Sequence, residues 1–386
     1  MSETLDHLAV PAFGCDESLV QAMHAKANFI NEDLYPRDGS RALGEVQAEL
    51  AQLVGVEEDQ VLAYASGMAA TTAAIDIGIH VSQKSRPVVA VAQETYSQTK
   101  RYAQNFLSPF RAKVIYFDAG DTNSVEDVLT RPDIDVIELE TVGNSQNMPV
   151  LDIEHFLHTF RQLTKRPTTV IDTTTTLSTG YELGKELTVD DEIIGVESGT
   201  KAYTFNKAMF GIGFTKNPLL FDALRRYRRT RGDLPSTESQ AKILSLLPQN
   251  REQFDERNQS TSRAAGIVGV KLADRALQTK SDDLIIAHPA IPTHPNARVF
   301  SEQYRSSGAP FVYVSATPKS ELTQYDLLKR LTSSDEVMKH AERGQSFGFD
   351  NGRIIYDENL PMIRIAAGAK TDAKAFGAAC ADALFL

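Results

Sequence analysis

Positive charge is in deficit in this chain: 40 Lys and Arg stand against 51 Asp and Glu, a formal net charge of -11. With no basic surplus to neutralise phosphates, a nucleic-acid partner is not expected. Cysteine is nearly absent. Cys15 and Cys380 sit at opposite ends with no ligand pattern around them, so they read as incidental thiols, and a reducing cytoplasm suits that usage. No run of 18 apolar residues occurs, so no membrane span is expected. Glu3 and Asp6 fall in the first ten residues, where a secretory leader would need an apolar core. There is no internal repeat, and low complexity is confined to residues 173–176. The chain has no Gly-x-Ser-x-Gly elbow. Residues 180–186 imitate a phosphate loop, but one residue short and without its hydroxyl. His155 and His158 lie three apart with no third ligand in view, so no metal is expected.

What the chain does have is ordinary globular composition, 42% hydrophobic and 24% charged over 386 residues, enough for a large core and two domains. Leu43, Val46, Leu50 and Leu53 recur at helical spacing, which predicts a helix over 40–54 with Ser40 as its cap. Short strands are predicted at 61–65, 87–92, 113–118, 136–141, 168–173, 193–198 and 211–215. Helices are predicted at 68–79 and at 151–163, the latter with Phe156, Leu157 and Phe160 facing inward. Seven apolar strands alternating with helices indicate an α/β fold, a mostly parallel sheet covered on both faces. Sites in such sheets lie at the carboxyl ends of the strands. Long helices are expected at 218–231, 235–247 and 251–272, then a smaller α/β domain. The expected division is 1–39 as an N-terminal arm, 40–247 as the large domain and 248–386 as the C-terminal domain. The arginines of 225–231 read as a solvated helix face or an inter-subunit contact, given the acidic total.

Chemistry concentrates on Lys201. It closes the run Ile193 to Lys201, an apolar strand ending in Ser198, Thr200 and an amine. An amine just after a buried strand loses solvation, which disfavours its charged form and makes it a usable nucleophile or base. Twenty-nine residues earlier, Asp172 ends another β-branched strand. A lysine for a Schiff base, hydroxyls for a phosphate and a carboxylate for a pyridinium nitrogen are the parts that pyridoxal 5'-phosphate requires.

Seven separated segments then line up with one family. The chain resembles the cystathionine γ-synthase/γ-lyase group, the Cys/Met-metabolism enzymes of pyridoxal-phosphate fold type I. Tyr35-Pro36-Arg37 looks like its Tyr-Ser-Arg, and Ser66-Gly67-Met68-Ala69 like its Ser-Gly-Met-Ala turn. Tyr96-Ser97-Gln98-Thr99 resembles Tyr-Gly-Gly-Thr, and Glu140-Thr141-Val142-Gly143-Asn144 resembles Glu-Ser-Pro-Thr-Asn. Asp172 matches the aspartate of Val-Asp-Asn-Thr, Ser198-Gly199-Thr200-Lys201 matches Ser-x-Thr-Lys, and Arg364-Ile365-Ala366-Ala367-Gly368 looks like Arg-Leu-Ser-Val-Gly. Alone, Lys201 would be a surface lysine, Gly67 a turn glycine, Asp172 a helix cap, Tyr96 core or rim, and Arg364 a surface charge. Their order along the chain outweighs those readings.

The resemblance implies fold type I, with a large cofactor-binding domain and a C-terminal substrate-binding domain, and it assigns roles. The amides of Gly67 and Met68 and the hydroxyls of Ser198 and Thr200 would hold the phosphate, joined by Tyr35 and Arg37 from a neighbouring subunit. That sharing implies a homotetramer, a dimer of active-site-sharing dimers. Lys201 would carry the cofactor and then act as base, Tyr96 would stack on the ring and shuttle protons, and Asp172 would keep the ring nitrogen protonated. Asn144 would bind the ring hydroxyl or the substrate. Arg364 would grip the α-carboxylate, with Gln345 and Ser346 beside the substrate. The departures cluster on the substrate side: Asp38-Gly39-Ser40-Arg41 follows Arg37, Lys201 to Asn206 stands where the family has Lys-Tyr-x-x-Gly-His, and Gln98 replaces a small residue, while Gln345 to Phe349 resembles its Ser-Leu-Gly-Gly segment. The implied reaction is elimination at Cβ or Cγ of a sulfur-containing or otherwise substituted amino acid. Alternatives are a γ-replacement synthase of the cystathionine γ-synthase or O-acylhomoserine sulfhydrylase type, and a γ-lyase for a halogenated or unsaturated amino acid. A fold type I aminotransferase and a catalytically silent scaffold fit the motifs less well.

Overall fold

A computed structural model of the chain describes residues 40–108, 112–305, 308–344, 346–356 and 361–385. Tyr35, Arg37 and Gln345, and the expected N-terminal arm, lie outside the described residues.

Seven strands build the larger sheet: β1 (Val61–Tyr64), β2 (Val88–Ala92), β3 (Lys113–Phe117), β4 (Ile134–Glu140), β5 (Thr168–Asp172), β6 (Ile193–Glu197) and β7 (Gly211–Phe214). Their order is β1-β7-β6-β5-β4-β2-β3. Neighbours from β3 to β6 are parallel, while β7 runs antiparallel to both β6 and β1. All seven expected strands form, within one or two residues of their expected ends. Side chains alternate across a strand, so Val89, Val136 and Val170 enter one apolar cluster while Ala90, Ile137 and Ile171 enter another. The helix Gly67–Val81 fills the first cluster with Ala70, Ala73, Ala74 and Ile75, and the helix Pro218–Arg231 adds Leu220 and Leu224. The helices Arg41–Val54 and Ile153–Gln162 fill the second. Ser40 caps the former as expected, its hydroxyl accepting from the Leu43 amide at 3.0 Å.

The basic helix departs from expectation. Arg225 and Arg226 pair with Asp222 at the surface, but Arg228 is buried. It shares the i, i+4 face of Leu220 and Leu224, and donates to the Ala63 carbonyl at 2.7 Å and to Gln47 at 2.9 Å. One arginine of the supposed solvated face is therefore an internal tie between this helix, β1 and the helix Arg41–Val54.

A second sheet holds β8 (Leu284–Ala287), β9 (Phe311–Ala316), β10 (Ala341–Gly344), β11 (Gly352–Tyr356) and β12 (Ile363–Ala366), in the order β10-β11-β12-β9-β8. All its pairings are antiparallel except β10 with β11. The 29-residue helix Arg251–Thr279, seven residues longer than the periodicity suggests, buries Val268 and Leu272 against this sheet, with Phe376 and Cys380 of the helix Ala373–Phe385 in the same cluster. Among the described residues, no helix is long and apolar enough to cross a membrane.

Candidate active site

Parallel pairing places the carboxyl ends of β4, β5 and β6 side by side, with Glu140 opposite Asp172 and Asp172 opposite Val196. The chain leaves β6 through Ser198 into the short helix Gly199–Ala202, so Lys201 emerges at this edge. As a whole residue it is half-buried, yet its amine turns inward, 4.4 Å from the Phe347 ring centroid and 5.5 Å from that of Tyr96. Burial, reinforced by the nearby Arg364 charge, lowers its pKa to about 8 against the opposing pull of Asp172 and Glu140. The strand-end lysine thus acquires the environment that its position suggested.

Asp172 is half-buried, with Oδ1 accepting the Thr174 amide at 2.8 Å. Burial raises its pKa, opposed by Thr174 and Lys201. Glu140 next door is fully enclosed. Its Oε1 accepts the Tyr96 amide at 2.7 Å and its Oε2 the Asn144 side-chain amide at 2.7 Å, so one carboxyl fixes both residues. Burial and the adjacent Asp172 push Glu140 up to about 8. Two residues back on the same face, Glu138 receives the Thr95 hydroxyl at 2.7 Å and keeps a buried oxygen without a partner. Burial, then the neighbouring Glu140, holds it well above the usual carboxylate range. Glu197, at the end of β6, receives the Thr173 hydroxyl at 2.7 Å and that of Tyr203, and burial raises it to about 7.

Gly67 and Met68 open the helix Gly67–Val81 beside Ser198. Ser66 accepts the Ala69 amide with its hydroxyl and the Ala70 amide with its carbonyl, bonds that do not use the first two amides. A Cβ at Gly67 would come within 2.9 Å of the Ser198 Cβ, so glycine permits the close approach. Thr200 departs from its expected role. Its hydroxyl donates to the Phe210 carbonyl at 3.2 Å and accepts the Phe210 amide at 3.0 Å, which ties the Lys201 turn to β7 instead of leaving a donor for an anion.

The second sheet supplies the other wall. Arg364 on β12 is 9% exposed, and its guanidinium donates to the Tyr313 hydroxyl at 2.7 Å and to Asn144 Oδ1 at 3.2 Å. Its Nε is buried without a partner. Ser346 begins a strap over Lys201 in which Phe347 is buried, its carbonyl held by Asn206 Nδ2 at 2.7 Å. Gly348 takes φ +91°, and a Cβ there would lie 2.8 Å from the Lys201 carbonyl oxygen. Lys207, the other lysine of this turn, is exposed. His155 pairs with Glu126 and His158 with Gln162.

The structure therefore gathers Lys201, Tyr96, Asp172, Asn144, Arg364 and the Gly67–Ser198 corner at one edge, and seats Ser346 beside them. The buried acids Glu138, Glu140 and Glu197 and the aromatics Phe347 and Tyr313 were not anticipated as site residues. Glu138 and Glu140, spaced by two among the apolar residues Val136, Ile137 and Leu139 of β4, were the available signal. The residues present fit pyridoxal 5'-phosphate: an amine with lowered pKa, a helix opening with its first two amides uncapped, a carboxylate at a strand end, and a buried guanidinium lacking one acceptor.

A search of curated protein sequences finds no match. Among solved structures, the chain is similar to metB from Corynebacterium glutamicum, with a TM-score of 0.72, 16% identity, and 92% of this chain and 88% of that one covered. It is similar also to cystathionine gamma synthase from Xanthomonas oryzae pv. oryzae in complex with aminoacrylate and cysteine, with a TM-score of 0.71, 15% identity, and the same shares of 92% and 88%. At those identities the likeness shows the fold alone, which is that of the fold type I enzymes. The family described as Cys/Met metabolism PLP-dependent enzyme matches residues 17–342, well over half of the chain. The protein therefore belongs to the Cys/Met-metabolism enzymes that depend on pyridoxal 5'-phosphate.

Proposed function

We propose that this enzyme eliminates a substituent from Cβ or Cγ of an amino acid. The observation that carries the reading is the enclosure of the Lys201 amine between Tyr96, Phe347, Asp172 and Arg364. When bound, pyridoxal 5'-phosphate supplies an electrophilic carbonyl carbon and a ring that withdraws charge from Cα. Lys201 Nζ is the amine that would hold it and would take the Cα proton as base; a pKa near 8 suits both tasks. Asp172 holds the proton on the ring nitrogen. The Gly67 and Met68 amides and Ser198 seat the phosphate. Arg364 and Asn144 bind the α-carboxylate, and Tyr96 hands a proton to the departing group.

Elimination is taken over replacement as the reading to test, with the Phe347 ring closing over the Lys201 amine at 4.4 Å. We further take the large domain to be 40–247 and the C-terminal domain 248–386, with the working form a homotetramer; light scattering of the purified protein checks the latter.

The test is a screen of cystathionine, methionine, cysteine, O-acyl-homoserines and γ-halogenated amino acids, with and without an added thiol, with products identified by mass. A keto acid and ammonia, unchanged by the thiol, is the expected result; a thiol-dependent new amino acid would establish replacement instead. Lys201→Ala is expected to abolish both turnover and the reducible chromophore.

A further inference from the structure

Tyr313 belongs to none of the motifs, yet it is the residue most closely engaged with Arg364. The two are directly paired across β9 and β12, which sets their side chains on one face. The Tyr313 hydroxyl accepts from the guanidinium at 2.7 Å and donates to Asn144 Oδ1 at 3.1 Å. Two residues earlier on the same face, Phe311 lies edge-on to Tyr313, with centroids 5.2 Å apart. The guanidinium carbon sits 4.7 Å from the Phe311 centroid and 5.1 Å from that of Tyr313. Two rings and two oxygens thus fix the guanidinium.

The polarity of this arrangement is fixed as well. A guanidinium only donates. Asn144 gives its amide hydrogens to Glu140, so its oxygen must face Arg364 and Tyr313. Tyr313 and Asn144 both take NH2, and Nε is left buried without an acceptor. An open donor on a buried, immobile cation calls for an anionic oxygen from a ligand.

We propose that Tyr313 is a positioning residue for Arg364: its hydroxyl turns the guanidinium so that the Nε edge meets the substrate carboxylate, and so commits the site to α-amino acids over simple amines. The proposal rests on the reading of Arg364 as the carboxylate site. Tyr313→Phe keeps the ring and removes the hydroxyl. The holoenzyme is titrated with L-alanine and with ethylamine, its decarboxylated counterpart, by the absorbance change of the bound cofactor. The variant is expected to weaken L-alanine about tenfold, the order of one charged hydrogen bond, and to leave ethylamine unchanged. An equal shift for both amines, or none for L-alanine, overturns the proposal. If Tyr313→Phe melts early or loses the cofactor, Tyr313→His is judged by the same ratio. Arg364→Ala separates the two readings. If it leaves the alanine-to-ethylamine ratio at the wild-type value, the carboxylate does not bind at Arg364 and the underlying reading falls. If it collapses the ratio while Tyr313→Phe does not, only the role of Tyr313 falls.

Discussion

Lys201 shows how little a residue's identity says about its chemistry before its surroundings are known. The same amine on a solvated helix would stay charged up to about pH 10. Here burial and the Arg364 charge bring it to about 8, while Asp172 and Glu140 keep it from falling further. Only the neutral amine attacks a carbonyl carbon. Uptake of pyridoxal 5'-phosphate by the apoprotein is therefore expected to accelerate as pH rises through about 8 and to level off above it. Stopped-flow absorbance between about pH 6 and about pH 10 reads this directly. A rate already flat from pH 6 would mean that the amine is not in the desolvated setting described.

At the scale of the elements, the strap beginning at Ser346 makes a strict backbone demand. Gly348 lies in the left-handed region at φ +91°, and a Cβ there would lie 2.8 Å from the Lys201 carbonyl oxygen. An alanine there meets both a disfavoured backbone and a contact of 2.8 Å that involves main chain on the far side, so the strap must lift. Gly348→Ala is expected to lower kcat by about tenfold or more, since lifting Phe347 readmits water to the amine. The melting temperature should move by only a few degrees, roughly what 1 kcal/mol produces. Calorimetry beside steady-state kinetics separates the two effects. Equal losses in both would make the glycine a folding requirement and nothing more. Sequence periodicity could not foresee this strap. Residues 346–349 have neither helical nor strand spacing, and their importance lies in touching a turn about 145 positions earlier.

At the scale of the whole molecule, the carboxyl ends of β4 and β6 bury Glu138, Glu140 and Glu197 under the site. Glu197 is the clearest for stability, because it hydrogen-bonds Thr173 and Tyr203 and not the groups assigned to substrate. Its pKa rises from 4.5 unfolded to about 7 folded, chiefly through burial. The folded state then holds a proton that the unfolded chain releases. Its contribution to stability is full below about pH 4.5 and is lost as pH climbs through about 7. The loss for one such group is on the order of 3 kcal/mol. Glu197→Gln should flatten that part of the profile, read as urea midpoints of the apoprotein at pH 5 and 8. If wild type and variant lose the same midpoint between those two conditions, another group carries the dependence.

Taken alone, the order of residues determined the sheet and the address of the chemistry. Alternation of apolar strands with helices fixes seven strands within a residue or two, because burial on both faces selects continuous runs of Val and Ile. Lys201 and Asp172 were legible because each ends such a run, where the chain leaves the core and side chains become available. The tertiary structure alone decided what those residues face. The Thr200 hydroxyl turned to the Phe210 main chain, Arg228 went inside because it shares a face with Leu220 and Leu224, and Tyr313 met Arg364 by register across two strands 51 positions apart. Spacing along a chain encodes local geometry, which is periodic. Hydrogen-bond partners and local dielectric arise from contacts between distant segments, and those exist only once the two sheets have packed.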